Sequence, residues 1–146
     1  MSPEAHVTNL LYRYAELMNE GRLEEVAALF AKARVKMGGG TEVEGAAPML
    51  AQWHTFVRIY PCSTPGTRHL VTNPIVAVDE AAGTATCRSY YTVFQQTPDL
   101  PLQPICMGRY HDSFVLEDGA WRFATRDYSM LDYLGDLSQH LMLPVG

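Results

Sequence analysis

Three β-strand-like runs in the second half of the chain carry polar residues that an ordinary core has no need of: Thr67 to Asn73, Gly108 to Phe114 and Trp121 to Asp127. Read with a period of two, His69 shares a face with Thr67 and Val71, and Arg126 shares one with Ala124 and Tyr128. A curved sheet that turns these faces inward gathers an imidazole, a guanidinium and several phenols around one cavity. Imidazole is the natural proton carrier near neutral pH, and guanidinium and phenol groups can hold a developing oxyanion. The chemistry implied is proton transfer on a small molecule. The plain alternative for His69 is a buried strand histidine held by one backbone carbonyl.

Arg126 is expected on the face opposite Trp121 and Phe123. A guanidinium pointing into a cavity must be paired or it costs several kcal/mol of desolvation. Asp112 has the parity to be that partner. A structural Arg–Asp pair and a direct catalytic role for Arg126 stand equally open. Period arguments also place Tyr14, Tyr90, Tyr110 and Tyr128 inward, and Trp53 joins them from the inner face of a helix. Together they make an apolar wall with a few hydroxyl handles, the usual make-up of a ligand site. No GxSxG, P-loop or GxGxxG motif is present, and the run Gly38-Gly39-Gly40 lacks the lysine of a phosphate loop. His6, His54, His111 and His140 show no metal-ligand spacing, so neither a metal nor another cofactor is expected.

The elements that must position these groups follow from the apolar spacing. Ser2 and Pro3 suit the N-cap and first position of a helix with Leu10, Leu11, Tyr14, Leu17 and Met18 on one stripe, closed by Gly21. A second helix carries Leu23, Val26, Ala27 and Phe30 inward. A short strand is expected over Arg34 to Met37, and a third helix from about Ala46 to Tyr60. From Thr67 the period becomes two, with strands near 67–79, 84–96, 104–116 and 120–130. Asp118-Gly119 is a strong hairpin signal, while the proline-rich stretch from Gln96 to Pro104 reads as a longer connection. A helical patch is expected near Leu134 to Leu141, before Pro144-Val145-Gly146. Helices first and an antiparallel meander afterwards make an α+β domain.

With 146 residues, one domain spanning 1–146 is expected, burying about two thirds of the surface its unfolded chain exposes. Eleven basic against sixteen acidic residues give a net charge of −5 with no basic cluster, which argues against nucleic acid and anionic membranes as partners. Cys62, Cys87 and Cys106 are an odd number without CxxC spacing, and Met1 to Glu4 does not open a leader peptide. A cytoplasmic protein is the expectation. On the 84–96 run, Cys87, Ser89, Tyr91 and Val93 are assigned the outer face, where so apolar a set would support a homodimer.

Four pieces of the chain carry a family resemblance. They are Leu10 to Leu17 with Leu29-Phe30 behind it, Arg68 to Asn73, Gly108 to Asp112, and Gly119 to Phe123. Over roughly residues 5–130 the chain resembles the SnoaL-like branch of the nuclear-transport-factor-2-like superfamily. The resemblance implies a cone-shaped α+β barrel, in which a strongly bent mixed sheet wraps a long amino-terminal helix and leaves a pocket at its open end. Relatives include scytalone dehydratase, steroid isomerases, polyketide cyclases, a hexachlorocyclohexane dehydrochlorinase and the non-catalytic small subunits of aromatic-ring dioxygenases.

The dehydratase-type members use a His–Asp dyad as base with an arginine nearby, which by resemblance are His69 and Arg126 here. The dyad aspartate sits at the end of the first helix, where this chain has Asn19-Glu20. Glu20 could reach in, Asp112 could substitute, or Asn19 could orient the ring without supplying charge. Asn19 is favoured, since it stands five residues after Tyr14, the family's usual spacing. The implied function is a cofactor-independent lyase or isomerase for a small apolar ring compound, by dehydration, isomerisation or cyclisation. The alternative is a binding or assembly module.

Overall fold

Helix α1, Pro3–Asn19, starts as its sequence predicts: the Ser2 hydroxyl accepts from the Ala5 amide at 3.1 Å and proline occupies the first turn. Its buried stripe is Val7, Leu11, Tyr14, Ala15, Leu17 and Met18. It ends in a Schellman turn, where the Arg22 amide donates to the Leu17 carbonyl and the Gly21 amide to that of Met18. Gly21 has φ +73°, and a Cβ there would stand 2.2 Å from the Ser63 carbonyl, so only glycine fits. This stop places Asn19 on the last helical turn, beside the sheet.

The computed structural model describes residues 1–142, so Pro144-Val145-Gly146 lies outside the described residues. After α1 come α2 (Leu23–Ala28), β1 (Arg34–Lys36), β2 (Glu42–Glu44) and α3 (Ala46–Phe56). Then follow β3 (Thr67–Asp79), β4 (Thr84–Thr97), β5 (Leu100–Glu117), β6 (Ala120–Asp127) and β7 (Leu131–Leu134). The sheet runs β2-β1-β6-β5-β4-β3, with β7 also paired to β5. All pairings are antiparallel except β1 with β6, so the sheet is mixed. It is strongly curved and stays open, with β2 and β3 as its two ends. The helices fill the concave side, where Phe30 stacks on Phe123 at 4.6 Å. Among the described residues no helix is long and apolar enough to cross a membrane.

The strand parity holds for β3 and β5 and fails for β4. Opposed residues in a ladder share a face, and β4 pairs Cys87 with Asp112, Ser89 with Tyr110, and Tyr91 with Gly108. Because Tyr110 and Asp112 point inward, Cys87, Ser89, Tyr91 and Val93 are all buried, not outward-facing. Tyr90 therefore lies on the convex face, 54% exposed. The sequence offers tyrosine on both parities at this point, so alternation alone cannot choose between them. On β6 the register shifts between Ser113 and Phe114 of its partner, a bulge at Ala124. That extra residue turns Phe123 and Arg126 to the same side; both are buried, and the guanidinium lies 5.1 Å from the Phe123 ring.

Three boundaries also differ. The stretch from Gln96 to Pro104 is a hairpin whose strands end at Thr97 and resume at Leu100, and Pro104 is accommodated where the register slips past Ile105. Helix α3 stops at Phe56, because Val57 turns extended and bridges to Leu141. The expected helical patch near Leu134 is instead the end of β7 and a turn. Gly135 comes so close to β5 that a Cβ would lie 3.0 Å from the Ile105 carbonyl, and the Asp136 carboxylate caps the Ser138 amide at 2.9 Å. This carboxy-terminal strap runs from β7, on β5, to the end of α3, where Leu141 bridges Val57.

Candidate active site

Helix α1, helix α3, the inner faces of β3 to β5 and the strap enclose a cavity of about 240 Å³ with a mostly apolar wall. Of the residues singled out from sequence, Tyr14, Trp53, His69, Tyr110 and Tyr128 line it. Tyr91 takes the wall position expected of Tyr90, stacked on Tyr110 at 4.2 Å above Gly108. Any Cβ at residue 108 would stand 2.5 Å from the Tyr91 hydroxyl, so the glycine makes the tyrosine's place.

His69 is fixed from behind by Asn19. The Asn19 side-chain oxygen accepts from the His69 backbone amide at 2.9 Å and lies 2.7 Å from its ring Nδ1. A backbone N–H can only donate, so the atom facing it is the amide oxygen, and Nδ1 must carry the ring proton. The Nε2 lone pair is then the free end of the imidazole. Glu20 is instead exposed and paired with Arg22, and Asp112 is engaged elsewhere. Burial, with His140 and Arg126 nearby, pushes the His69 imidazole from about 6.5 down to about 3, so the ring is neutral at pH 7.

Arg126 lies under the cavity floor and does not line it. Only 1% exposed, its Nε and Nη2 donate to the two Asp112 oxygens at 2.6 and 3.0 Å. Its guanidinium carbon sits 4.0 Å from the Tyr110 ring centre and 4.4 Å from that of Tyr14. Burial would lower its pKa, but the Asp112 carboxylate and the surrounding phenols raise it, and the guanidinium stays charged. Nη1 reaches the Tyr128 hydroxyl at 3.5 Å, and Tyr128 donates to the Tyr14 hydroxyl at 2.5 Å. Buried charge is thus linked to the cavity through two phenols. Burial raises the pKa of Tyr14, Tyr91, Tyr110 and Tyr128, which all remain hydroxyl donors at neutral pH.

Sequence reasoning missed His140, a cavity residue from the strap whose ring centre is 5.9 Å from that of His69. A lone histidine in a tail read as helix gives no period that would aim it inward.

The profile of the SnoaL-like domain matches residues 1–127. The chain belongs to the SnoaL-like domain family. No curated protein matches it. An NTF2-like protein with a cystatin-like fold from Novosphingobium aromaticivorans is 20% identical, with a TM-score of 0.71 over 88% of this chain and 81% of that one. A scytalone dehydratase-like protein from the same organism is 23% identical, with a TM-score of 0.66 over 84% of this chain and 80% of the other. The beta subunit assigned to an aromatic-ring-hydroxylating dioxygenase, again from that organism, is 18% identical, with a TM-score of 0.69 over 90% of both chains. These likenesses establish the fold of this SnoaL-like protein and leave its chemistry to the site.

Proposed function

We propose that the protein is a cofactor-independent lyase or isomerase that moves a proton on a small, largely apolar ring compound. The observation that carries this reading is the neutral His69 ring, its tautomer fixed by Asn19, on the wall of an apolar cavity that also holds phenol donors. His69 Nε2 takes a proton from a carbon next to a carbonyl. The C–H electron pair becomes the C=C bond and the carbonyl oxygen becomes an enolate oxygen. Tyr14, which already accepts from Tyr128, has its own O–H to donate to that oxygen, with Arg126 behind as a positioning charge. Return of the proton to another carbon completes an isomerisation; departure of a β-hydroxyl with that proton, as water, completes a dehydration.

An imidazole without a carboxylate partner is a weak base, which suits substrates whose C–H is already acidified by a carbonyl. Exchange of the α-protons of 2-tetralone in D₂O, followed by NMR, tests the reading. Wild type should accelerate exchange, and His69→Ala should remove about 10²–10⁴-fold of that acceleration while leaving the melting temperature nearly unchanged. A sharp fall in melting temperature, with exchange per folded molecule intact, would make His69 a core residue.

The second reading is a binding or assembly module, as the likeness to a dioxygenase beta subunit suggests. The low basicity of His69 favours it, and absence of any accelerated exchange would select it. Under either reading we propose that the protein works as a homodimer.

A further inference from the structure

The strap contributes a polar group to the cavity from beyond the matched SnoaL-like span. The SnoaL-like match ends at residue 127, and His140 lies beyond it. Its backbone is pinned from three sides. The Arg58 amide donates to the His140 carbonyl at 2.8 Å, the Met142 amide to the Phe56 carbonyl at 2.7 Å, and Gln95 Nε2 to the Gln139 carbonyl at 3.0 Å. His140 is only 6% exposed and lines the cavity; its Nδ1 is closed off without a hydrogen-bond partner among the described residues, which leaves Nε2 as the ring nitrogen to meet the cavity. A polar ring held this firmly on the cavity wall is placed to meet something that enters the cavity.

From this geometry we infer that His140 is a ligand-binding residue: with His69 it holds one hydroxyl group of a neutral, planar ring compound. The inference deepens the proposed function and rests on it for the ring compound, and it adds the hydroxyl. Asn19 makes His69 Nδ1 the donor, so the free Nε2 can only accept, and a bare carbonyl has nothing to offer it. An O–H donates to Nε2 and can accept from an imidazole N–H across the gap. Ring centres 5.9 Å apart leave room for one oxygen making two hydrogen bonds of about 2.9 Å. Both imidazoles are neutral at pH 7, burial holding that of His140 down at about 4, and the Arg126 guanidinium beneath the floor is neutralised by Asp112. None of the described lining residues then offers an anion a counter-charge.

The probes are 2-naphthol, 2-methoxynaphthalene and naphthalene, titrated by fluorescence against the full chain. Wild type should bind 2-naphthol on the order of tenfold more tightly than the methoxy compound, which has an oxygen acceptor but no O–H. His140→Phe should reduce 2-naphthol affinity about five- to tenfold and leave naphthalene binding unchanged, and His140→Gln should recover part of the loss. On wild-type protein, the imidazole ¹⁵N shifts of His140 should move with 2-naphthol and stay put with naphthalene. This readout holds even if the variants fold poorly, and a merely structural histidine would not produce it. Equal affinity of wild type for 2-naphthol and naphthalene, or unmoved His140 shifts, overturns the inference while the ring-compound reading survives. If none of the three binds, both fall.

Discussion

At the residue scale, the decisive pair is Asn19 and His69. The identity of both was legible in the sequence, because Asn19 stands where the family places an aspartate and His69 falls on an inward parity. What could not be read was the consequence: the tautomer follows from one side-chain oxygen meeting both the backbone amide and the ring. Asn19→Asp should keep those contacts and add a negative charge beside Nδ1, which stabilises the imidazolium and raises the His69 pKa from its depressed value near 3. The base is unprotonated above its pKa, so the acid limb of the exchange rate should lie near pH 3 in wild type and move upward in the variant. NMR titration of the His69 ring checks the shift directly. An unmoved limb would mean that the asparagine merely fills space. Arg126 and Asp112 were legible as partners by parity, but not as a buried pair beneath the floor, because that depth depends on a bulge at Ala124 that the alternation of β6 conceals.

At the element scale, β3 and the Asp118-Gly119 hairpin could be read directly. Alternation is clean in β3 up to its irregularity near Asn73, and the Asp-Gly turn has both residues at positive φ. The inner face of β4 and the strap could not be read, because each is fixed by its neighbour across the ladder. Gly108 joins the two: its missing side chain admits the Tyr91 ring from β4, and the Met130 carbonyl, just ahead of β7 and the strap, lies 2.6 Å from where a Cβ would be. Gly108→Ala should therefore displace both at once. The expected cost is about 1–3 kcal/mol of stability by denaturant unfolding, with weaker 2-naphthol binding as the wall moves. Unchanged stability and binding would show that β5 can shift enough to absorb a methyl group.

At the scale of the whole molecule, the corrected parity moves the assembly surface without removing it. Cys87, Ser89, Tyr91 and Val93 are core, so they cannot make a dimer. The residues between them can. Across the convex face the ladders align Leu70 with Thr92, Thr92 with Met107, and Met107 with Tyr133, one row over four strands. Leu70, Met107 and Tyr133 are 42%, 46% and 70% exposed, and Tyr90 stands in the adjoining row. An apolar row of that length on an open sheet is what an isologous pair would cover, each copy presenting the same strands to the other. Light scattering at micromolar concentration should report a dimer for wild type. Met107→Lys, at the middle of the row, should place two like charges in the contact and shift the equilibrium to monomer, with little change in 2-naphthol affinity because the cavity lies on the other side of the sheet. A stable wild-type monomer, or a Met107→Lys dimer of unchanged strength, would show that this face is not the contact.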